Sequence, residues 1–306
     1  MLARATLHQM RIFEAAARLL HFGRAAQELH LSQPAVSIQL QQFELHVGLP
    51  LFEQIGRKMH LTHAGTDLLG HVRAVLQRVR EADDSVQRLK GSGGGELHIA
   101  ATTTAEYFVP RLIAEFRKSH PATRIRLTVD NRDQVVAVLA GNLVDVAIMG
   151  RAPASLDVEA APFAQHPLAV IAAPGHVLAR RRSLRLPQLA GETFLIRERG
   201  SGTRSAMERA FAAADFQPAE TIEFGSNEAI KQAVMAGIGV GFISLHTTGL
   251  EMTTGRLAVL KAAGMPVMRD WYAVHLTGKR LSAVAAAFKA HLIADGARLI
   301  EKVLRA

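Results

Sequence analysis

Residues 24–52 run Arg-Ala-Ala-Gln-Glu-Leu-His-Leu-Ser-Gln-Pro-Ala-Val-Ser-Ile-Gln-Leu-Gln-Gln-Phe-Glu-Leu-His-Val-Gly-Leu-Pro-Leu-Phe, an order of residues that few folds can accept. Ala25, Ala26 and Leu29 are apolar at helical spacing while Arg24, Gln27 and Glu28 are polar, which predicts a short helix with one buried edge. Ser32 is a good N-cap, and Pro34 suits a first helical turn, where a missing N–H costs nothing. Val36, Leu40 and Phe43 then recur at a period that buries one face, and Gly48 ends the run. The segment therefore reads as helix, tight turn, helix.

The outward face of the second helix carries Gln33, Ser37, Gln39, Gln41 and Gln42. Amide side chains pair bidentately with adenine edges, hydroxyls take base or phosphate contacts, and the helix N-terminus offers free N–H groups to a phosphate. Polar residues on a helix are ordinarily just a solvated face. Here the Ser-Gln-Pro-Ala-Val-Ser run follows an Ala-Ala-x-x-Leu helix at turn spacing, which favours reading DNA in the major groove. Leu7, Met10, Phe13 and Ala17 mark a first helix that packs behind this pair. Residues 51–61 read as strand, turn at Gly56 and strand, a wing with Arg57 and Lys58 near its tip to meet phosphates.

Ala25-Ala26, Leu29, Ser32-Gln33-Pro34-Ala35-Val36-Ser37, Leu40, Phe43-Glu44, Gly48 and Leu51-Phe52 resemble the N-terminal signature of LysR-type transcriptional regulators. The stretch Gly56-Arg57-Lys58-Met59-His60-Leu61-Thr62-His63-Ala64-Gly65 is similar to that family's wing and the start of its linker helix. The resemblance implies a winged helix-turn-helix whose DNA contacts come from Arg24, Ser32, Gln33, Pro34, Ser37, Gln39, Gln42, Arg57 and Lys58. Gln54 stands where family members usually carry Arg after Leu-Phe-Glu, a departure that shifts load to Arg57 and Lys58.

A chain of 306 residues with 49% apolar content is long enough for two or three domains, each with its own core. The absence of cysteine excludes disulfides and thiolate metal sites and suits a reducing cytosol. Met1–His8 lack an apolar signal core and no 18-residue apolar run occurs, so the expectation is a cytoplasmic protein without membrane attachment. The net charge of +9 is spread unevenly: residues 1–90 hold 11 Lys and Arg against 8 Asp and Glu, and the remainder 25 against 19. The surplus in the second part fits either an affinity for anions or a plain solubility role.

From Thr62 to Lys90 the pattern becomes that of one long helix, about 40 Å at 1.5 Å per residue. Leu68, Val72, Val75, Val79, Ala82, Val86 and Leu89 form a heptad seam that points to a dimer, packing against the chain's own second part being the alternative. Two-fold symmetry implies an inverted-repeat DNA site. Gly91-Ser92-Gly93-Gly94-Gly95 reads as a flexible hinge. Beyond it, strands are expected at 97–101, 125–129, 144–149, 168–172, 193–196, 239–244 and 271–276. Helices are expected at 109–120, 133–140, 201–214, 228–236 and 282–304. The expected fold class is thus α/β: a winged helix-turn-helix (1–61), a linker and dimerisation helix (62–91), and a two-lobed α/β effector domain of periplasmic-binding-protein type (92–306). Lobe I would take about 92–164 and 270–306, and lobe II about 165–269. The chain would cross between lobes near 163–168 and 266–272.

In such a fold a ligand sits between the lobes at the carboxyl ends of strands. Thr102-Thr103-Thr104 follow a strand and precede a helix, so hydroxyls and N–H groups converge there. Arg197-Glu198-Arg199-Gly200-Ser201-Gly202-Thr203-Arg204 is a glycine-rich turn entering a helix, able to cradle an anion with Arg197 or Arg204 adding charge. A hydroxyl at a helix start is more often a plain cap, yet two such turns on opposite halves suggest a site. Asn131, Arg132, Met149, Gly150 and Asn227 would line it, with Ser201, Gly202 and Thr203.

Residues 103–110, 131–133, 148–150, 199–204 and 271–275 are similar to the branch of the LysR family that regulates Calvin-cycle carbon-fixation operons. That resemblance implies an activator, a homodimer or homotetramer, double-stranded DNA and RNA polymerase as partners, and a small anionic effector such as ribulose 1,5-bisphosphate or NADPH; no cofactor or metal is implied. Spacing does not choose between the two metabolites. An enzyme reading fits poorly: Gly200-Ser201-Gly202-Thr203 lacks a P-loop's Gly-Lys-Ser/Thr ending, no Gly-x-Ser-x-Gly elbow occurs, and the 14 histidines are scattered. His60 and His63 are the closest helical-type pair, without a carboxylate cluster beside them. A solute-binding protein would leave residues 1–90 without purpose. Gln33→Ala is expected to remove discrimination at one base position, about 1 to 3 kcal/mol, in a binding-site selection; unchanged specificity would refute the role.

Overall fold

The computed structural model describes residues 4–56, 58–89 and 94–304; Arg57 of the expected wing tip and Gly91-Ser92-Gly93 of the expected hinge lie outside the described residues, as does the side chain of Leu89. Contacts divide the chain into two compact units, with the boundary along the long helix between Val86 and Gln87.

The N-terminal unit begins with α1 (Leu7–Leu19), α2 (Phe22–Glu28) and α3 (Gln33–Val47). Each start has a local cause. Thr6 and Gln9 form a capping box on α1, the His21 ring accepts from the Arg24 amide, and Ser32 Oγ accepts from the Ala35 amide at 3.3 Å. Gly48, at φ 83°, takes the left-handed conformation that ends α3. Val36, Leu40 and Phe43 are buried as expected, and Phe13 packs on Phe43 and Phe52 at centroid distances of 5.3 and 5.7 Å. Leu7 is the exception to the expected first-helix stripe, being largely exposed at the end of α1. The wing is β1 (Phe52–Ile55) paired antiparallel with β2 (Lys58–Leu61). Glu44 ties it to α3, its Oε1 accepting from the amides of Leu51 and Phe52 at 2.7 and 3.2 Å.

Next comes α4 (His63–Leu89). Its apolar stripe splits. Val72 and Leu76 are buried, with Leu68 against them, in the core of the N-terminal unit, while Val75, Ala82 and Val86 are exposed. The first turns of α4 are thus held by their own headpiece, with Arg73 paired to Glu14 at 3.2 Å, and Leu68 and Val72 belong to that contact. Close packing also sets Gly65: a Cβ there would lie 2.1 Å from the Leu51 carbonyl oxygen.

The C-terminal unit comprises β3 (Glu96–Thr102), α5 (Val109–Ser119), β4 (Arg124–Asp130), α6 (Arg132–Ala140), β5 (Val146–Met149), β6 (Val158–Ala172), β7 (Thr193–Arg197), α7 (Gly202–Ala213), β8 (Glu220–Phe224), α8 (Asn227–Met235), β9 (Val240–Ser244), α9 (Gly249–Thr253), β10 (Ala258–Val259), β11 (Val267–Leu276) and α10 (Ala283–Leu304). The strands form one sheet in the order β4-β3-β5-β11-β6-β9-β7-β8, with β10 on β6. Its two ends are parallel βα halves with separate cores. Ile99, Phe108, Phe116, Trp271 and Phe288 lie in the first core; Val170, Phe194, Phe211 and Phe242 lie in the second. Antiparallel β6 and β11 join the halves, with a register shift between Trp271 and Tyr272.

Two expectations need correction. The segments 168–172 and 271–276 are only parts of strands that run over 158–172 and 267–276, because Pro162, Pro167 and charged residues mask the alternation. Strand β8 was not expected at all: Glu-Thr-Ile-Glu-Phe lies on a sheet edge, where four of five side chains stay exposed and leave no buried-strand pattern.

Phe43→Ala is expected to destabilise the N-terminal unit by about 3–5 kcal/mol in urea denaturation followed by circular dichroism. Leu45→Ala, which removes an exposed side chain two residues away, is expected to change stability by less than about 0.5 kcal/mol.

Candidate nucleic-acid interface and ligand cleft

The buried face of α3 leaves the opposite face free. Gln33, Pro34, Gln41 and Gln42 are exposed, and Ser37 and Gln39 lie half-buried at its flanks. Gln42 Oε1 accepts from Gln9 Nε2 at 3.5 Å, which ties it back toward α1. The outermost positions include two apolar residues not among the expected polar readers, Ile38 and Leu45, 53% and 79% exposed. At 100° per residue both fall opposite Val36, Leu40 and Phe43, so helical periodicity already held the signal. Apolar groups on such a face can meet a thymine methyl. Arg24 is exposed on α2, Lys58 is exposed at the start of β2, and Arg57 is among the residues not described. Gln54 donates from Nε2 to the Gly56 carbonyl at 3.1 Å, so it braces the wing turn.

In the C-terminal unit a cleft between the two halves is lined by Thr102, Thr103, Thr104, Arg132, Gly150, Ser201, Gly202 and Thr203, eight of the expected positions. The carboxyl end of β3, the residue after β5 and the N-terminus of α7 converge there, as the switch-point rule requires. Contacts across it hold it shut. Thr104 and Thr203 hydroxyls lie 3.4 Å apart, Arg197 Nη2 donates to Thr103 Oγ1 at 3.1 Å, and the Asp133 amide donates to the Gly200 carbonyl at 3.3 Å. The remaining cavity is about 20 Å³, room for roughly one water.

The other expected residues stand elsewhere. Asn131 caps α6, its Oδ1 accepting from the Gln134 amide at 3.1 Å, and Met149 is buried in the core on the sheet's far side. Arg197, 1% exposed, is saturated by Glu198, Asn227 and Thr103, and Asn227 serves as its acceptor at 2.6 Å. Arg204 pairs with Glu208 at 2.8 Å and with Glu223, and donates to the Arg197 carbonyl. These two arginines act as internal struts, neutralised by Glu198 and Glu208, which are near neighbours in the sequence, and by Glu223, which the fold brings beside Arg204.

Three lining residues were missed: Arg151, His166 and Arg269. His166 on β6 and Arg269 on β11 are direct cross-strand partners, a juxtaposition created by strand pairing 103 positions apart. Arg269 clamps the cleft, donating to the Gly150 carbonyl at 2.5 Å and to the Gly202 carbonyl at 3.2 Å. Gly150 has no alternative, since a Cβ would lie 2.7 Å from His166 Nδ1. His166 is 3% exposed, stacks on Trp271 at 4.0 Å, and has no hydrogen-bond partner on either ring nitrogen.

Burial, then the charge of Arg269 and then His246, holds the His166 pKa well below the usual histidine range. Burial lowers His246 to about 4, in keeping with its Nδ1 accepting from Trp271 Nε1 at 2.9 Å. Arg269 is lowered to about 10 by burial and then by Arg209, Arg151 and Arg132.

Two family models match the chain: "Bacterial regulatory helix-turn-helix protein, lysR family" over residues 7–66 and "LysR substrate binding domain" over residues 90–297. The fold and these matches define a DNA-binding regulator with a ligand-binding domain. The chain belongs to the LysR family of transcriptional regulators, which are not enzymes. It is 48% identical to the HTH-type transcriptional regulator CbbR of Rhodospirillum rubrum, covering 94% of this chain and 95% of that one. It is 46% identical to the RuBisCO operon transcriptional regulator of Allochromatium vinosum, covering 96% and 97%. Among solved structures, the Synechocystis CcmR regulatory domain in complex with 2-PG is 37% identical, covers 66% of this chain and 96% of that one, and has a TM-score of 0.63. The resemblance to regulators of carbon-fixation operons thus extends over nearly the whole chain. Among the described residues no helix is long and apolar enough to cross a membrane.

His166 and His246 are neutral in the folded state, while an unfolded histidine titrates near pH 6.5. Below that pH the unfolded chain takes up protons the native state refuses, so stability falls as pH falls, by about 1.4 kcal/mol per pH unit for each histidine. The loss continues to about pH 4 for His246, and above pH 6.5 neither residue contributes a slope. Urea midpoints of the C-terminal unit between pH 7.5 and 5 check this, with His246→Gln expected to flatten the decline.

Proposed function

We propose that this chain controls transcription of carbon-fixation genes, as an activator, in response to a small phosphorylated metabolite bound between the two lobes. The observation that carries the metabolite half is the cleft itself: hydroxyls of four threonines and a serine, the N-terminus of α7, and guanidinium groups from Arg132, Arg151 and Arg269. That is the chemistry of an anion site. The Synechocystis relative, whose structure carries 2-PG, supports a phosphorylated ligand, and ribulose 1,5-bisphosphate and NADPH are the two candidates. The near full-length likeness to CbbR and to a RuBisCO operon regulator supports the choice of target genes.

On DNA, Ser32, Gln33, Pro34, Ser37, Gln39 and Gln42 on α3 take base edges and nearby phosphates, and Arg24, Arg57 and Lys58 take the flanking backbone. The exposed Val75, Ala82 and Val86 of α4 form the stripe on which a second copy packs, giving a two-fold dimer for an inverted repeat and, by pairing of dimers, a tetramer. RNA polymerase is the partner at the promoter, and the cytoplasm is where promoter and metabolite meet. A shut cleft of about 20 Å³ cannot admit a sugar phosphate, so the ligand must favour a more open arrangement of the lobes. Its differential affinity for the two arrangements is what shifts the regulator.

Gel retardation and footprinting on the promoter of a carbon-fixation operon, with ribulose 1,5-bisphosphate or NADPH titrated in, test this. The expected result is a specific complex at an inverted repeat whose footprint changes with one of the metabolites. Thr104→Val should keep basal DNA affinity within about twofold and lose the metabolite response. Equal affinity for unrelated duplex would sink the promoter assignment, and an unchanged response in the Thr104 variant would sink the cleft assignment.

A further inference from the structure

The surplus of positive charge in the second part of the chain has a local source outside the cleft. Residues 173–191 hold Arg180, Arg181, Arg182 and Arg185 and no Asp or Glu, and residues 255–268 add Arg256 and Lys261, again without an acidic residue. All six cations are exposed. Among the described residues none of the six takes part in an ion pair, in contrast to Arg197 and Arg204 of the same unit. Glu192, the first carboxylate after the arginine run, is taken by His176 at 3.1 Å.

The fold gathers these cations and fixes the backbone that carries them. Leu184, Leu186 and Leu189 are buried in the core around Phe194 and Phe242, with Leu178, Ala179 and Ala190 packed against it, so the run is anchored from within. The Leu184 amide donates to the Lys261 carbonyl at 2.9 Å and the Ala263 amide to the Leu184 carbonyl at 2.7 Å, which sets Lys261 alongside the arginines. This surface stands at the pole of its half away from the cleft. Beyond the cleft residue His166, β6 pairs Leu168 with Ser244 at the carboxyl end of β9 and Ile171 with Gly241 near its start, then ends at Ala172, and the run follows.

A charged surface that serves only solubility interleaves both signs, whereas crowded like charges repel. Here arginines fill three successive positions of an anchored loop, a repulsion that a polyanion relieves. A protein partner calls for a large apolar or aromatic side chain at the centre of the patch. From 178 to 191 no large apolar side chain is exposed, the leucines between and after the arginines being buried. What faces water is a row of guanidinium forks, the group suited to phosphate, on a backbone that needs no ordering before it binds. Residues 1–90, with 11 Lys and Arg against 8 Asp and Glu, carry a surplus of only 3, which leaves much of a DNA complex's charge neutralisation to be supplied elsewhere.

We propose that this pole is a second DNA contact, in which Arg180, Arg181, Arg182 and Arg185, with Lys261 beside them, hold the sugar–phosphate backbone of duplex DNA without reading its sequence. The contact rests on the reading of the chain as a DNA-binding regulator and is independent of what occupies the cleft. Its contribution is affinity and salt dependence, while the choice of site stays with α3.

Anisotropy titration of the full chain with a fluorescent duplex of about 60 base pairs and arbitrary sequence, repeated between about 50 and 200 mM salt, tests this. Each phosphate neutralised adds about 0.9 to the steepness of log K against log salt. Arg180→Gln, Arg181→Gln, Arg182→Gln and Arg185→Gln combined, all on exposed side chains, are expected to make the slope shallower by about 2 to 4 and binding at the lowest salt at least about fivefold weaker, equally for unrelated sequences. The same four positions changed to Lys are expected to keep the slope within about 1 of the unaltered chain's. An unchanged slope in the Gln variant overturns the contact and leaves the headpiece as the DNA reader. So does an equal loss in the Lys variant, which traces the effect to the loop's structure and not to its charge. A fluorescent polyglutamate peptide separates the other class of partner: peptide binding that needs the four arginines, with the DNA slope unmoved, overturns the DNA contact in favour of an acidic protein surface. No duplex binding by the unaltered chain at the lowest salt overturns the DNA-binding reading and this inference together.

Discussion

Everything in the ligand-binding unit depends on one antiparallel ribbon, β6 against β11, whose residues pair from Val158–Leu276 to Leu168–Val267. Among the described strands it is the centre of a single sheet and the pair that joins the two parallel βα halves. Each half has its own aromatic core, and the ribbon is the element that links the two. The irregularity between Trp271 and Tyr272 lies along this ribbon, and the cleft residues His166 and Arg269 are paired across it. Both cleft residues thus sit on the element that links the lobes.

The same ribbon explains why the cleft is polar yet shut. Hydroxyl, amide and guanidinium groups from the two lobes satisfy one another in the closed arrangement, through Thr104 with Thr203, Arg197 with Thr103, and Arg269 with Gly150 and Gly202. Each of these is a modest net contribution in water. On the proposed reading a bound anion takes over the Thr104 and Thr203 hydroxyls and the Arg269 guanidinium, which makes this closed arrangement and occupancy alternatives. His166 is the residue left over, unpartnered in the closed arrangement.

The headpiece obeys a simpler logic. Three short helices bury an aromatic cluster around Phe13 and Phe43, and the first turns of α4 complete it through Val72 and Leu76. Because one face of the beginning of α4 is committed to its own headpiece through Val72 and Leu76, Val75, Ala82 and Val86 are left exposed. The heptad pattern was legible, but one stripe on one helix can serve two surfaces, and periodicity alone does not say where the first ends.

The amino-acid sequence by itself determined the helix-turn-helix, its caps and its buried face, because capping, helical period and the Ser-Gln-Pro-Ala-Val-Ser run act within a few residues of each other. It also placed Thr102–Thr104 and Ser201–Thr203 on opposite halves, since strand-to-helix turns are local signals. Only the tertiary structure decided which arginines are free to hold a ligand. Arg197 and Arg204 look like anion binders in the linear order; their neighbours Glu198 and Glu208 were local in the sequence, but the partner Glu223 of Arg204 and the gathering of Arg151, Arg209 and Arg269 come from strand pairing and helix packing. Charge in a site is set by what lies within a few ångströms in space, and the register of β6 on β11, which brings His166 beside Arg269, is written nowhere in the local sequence of either strand.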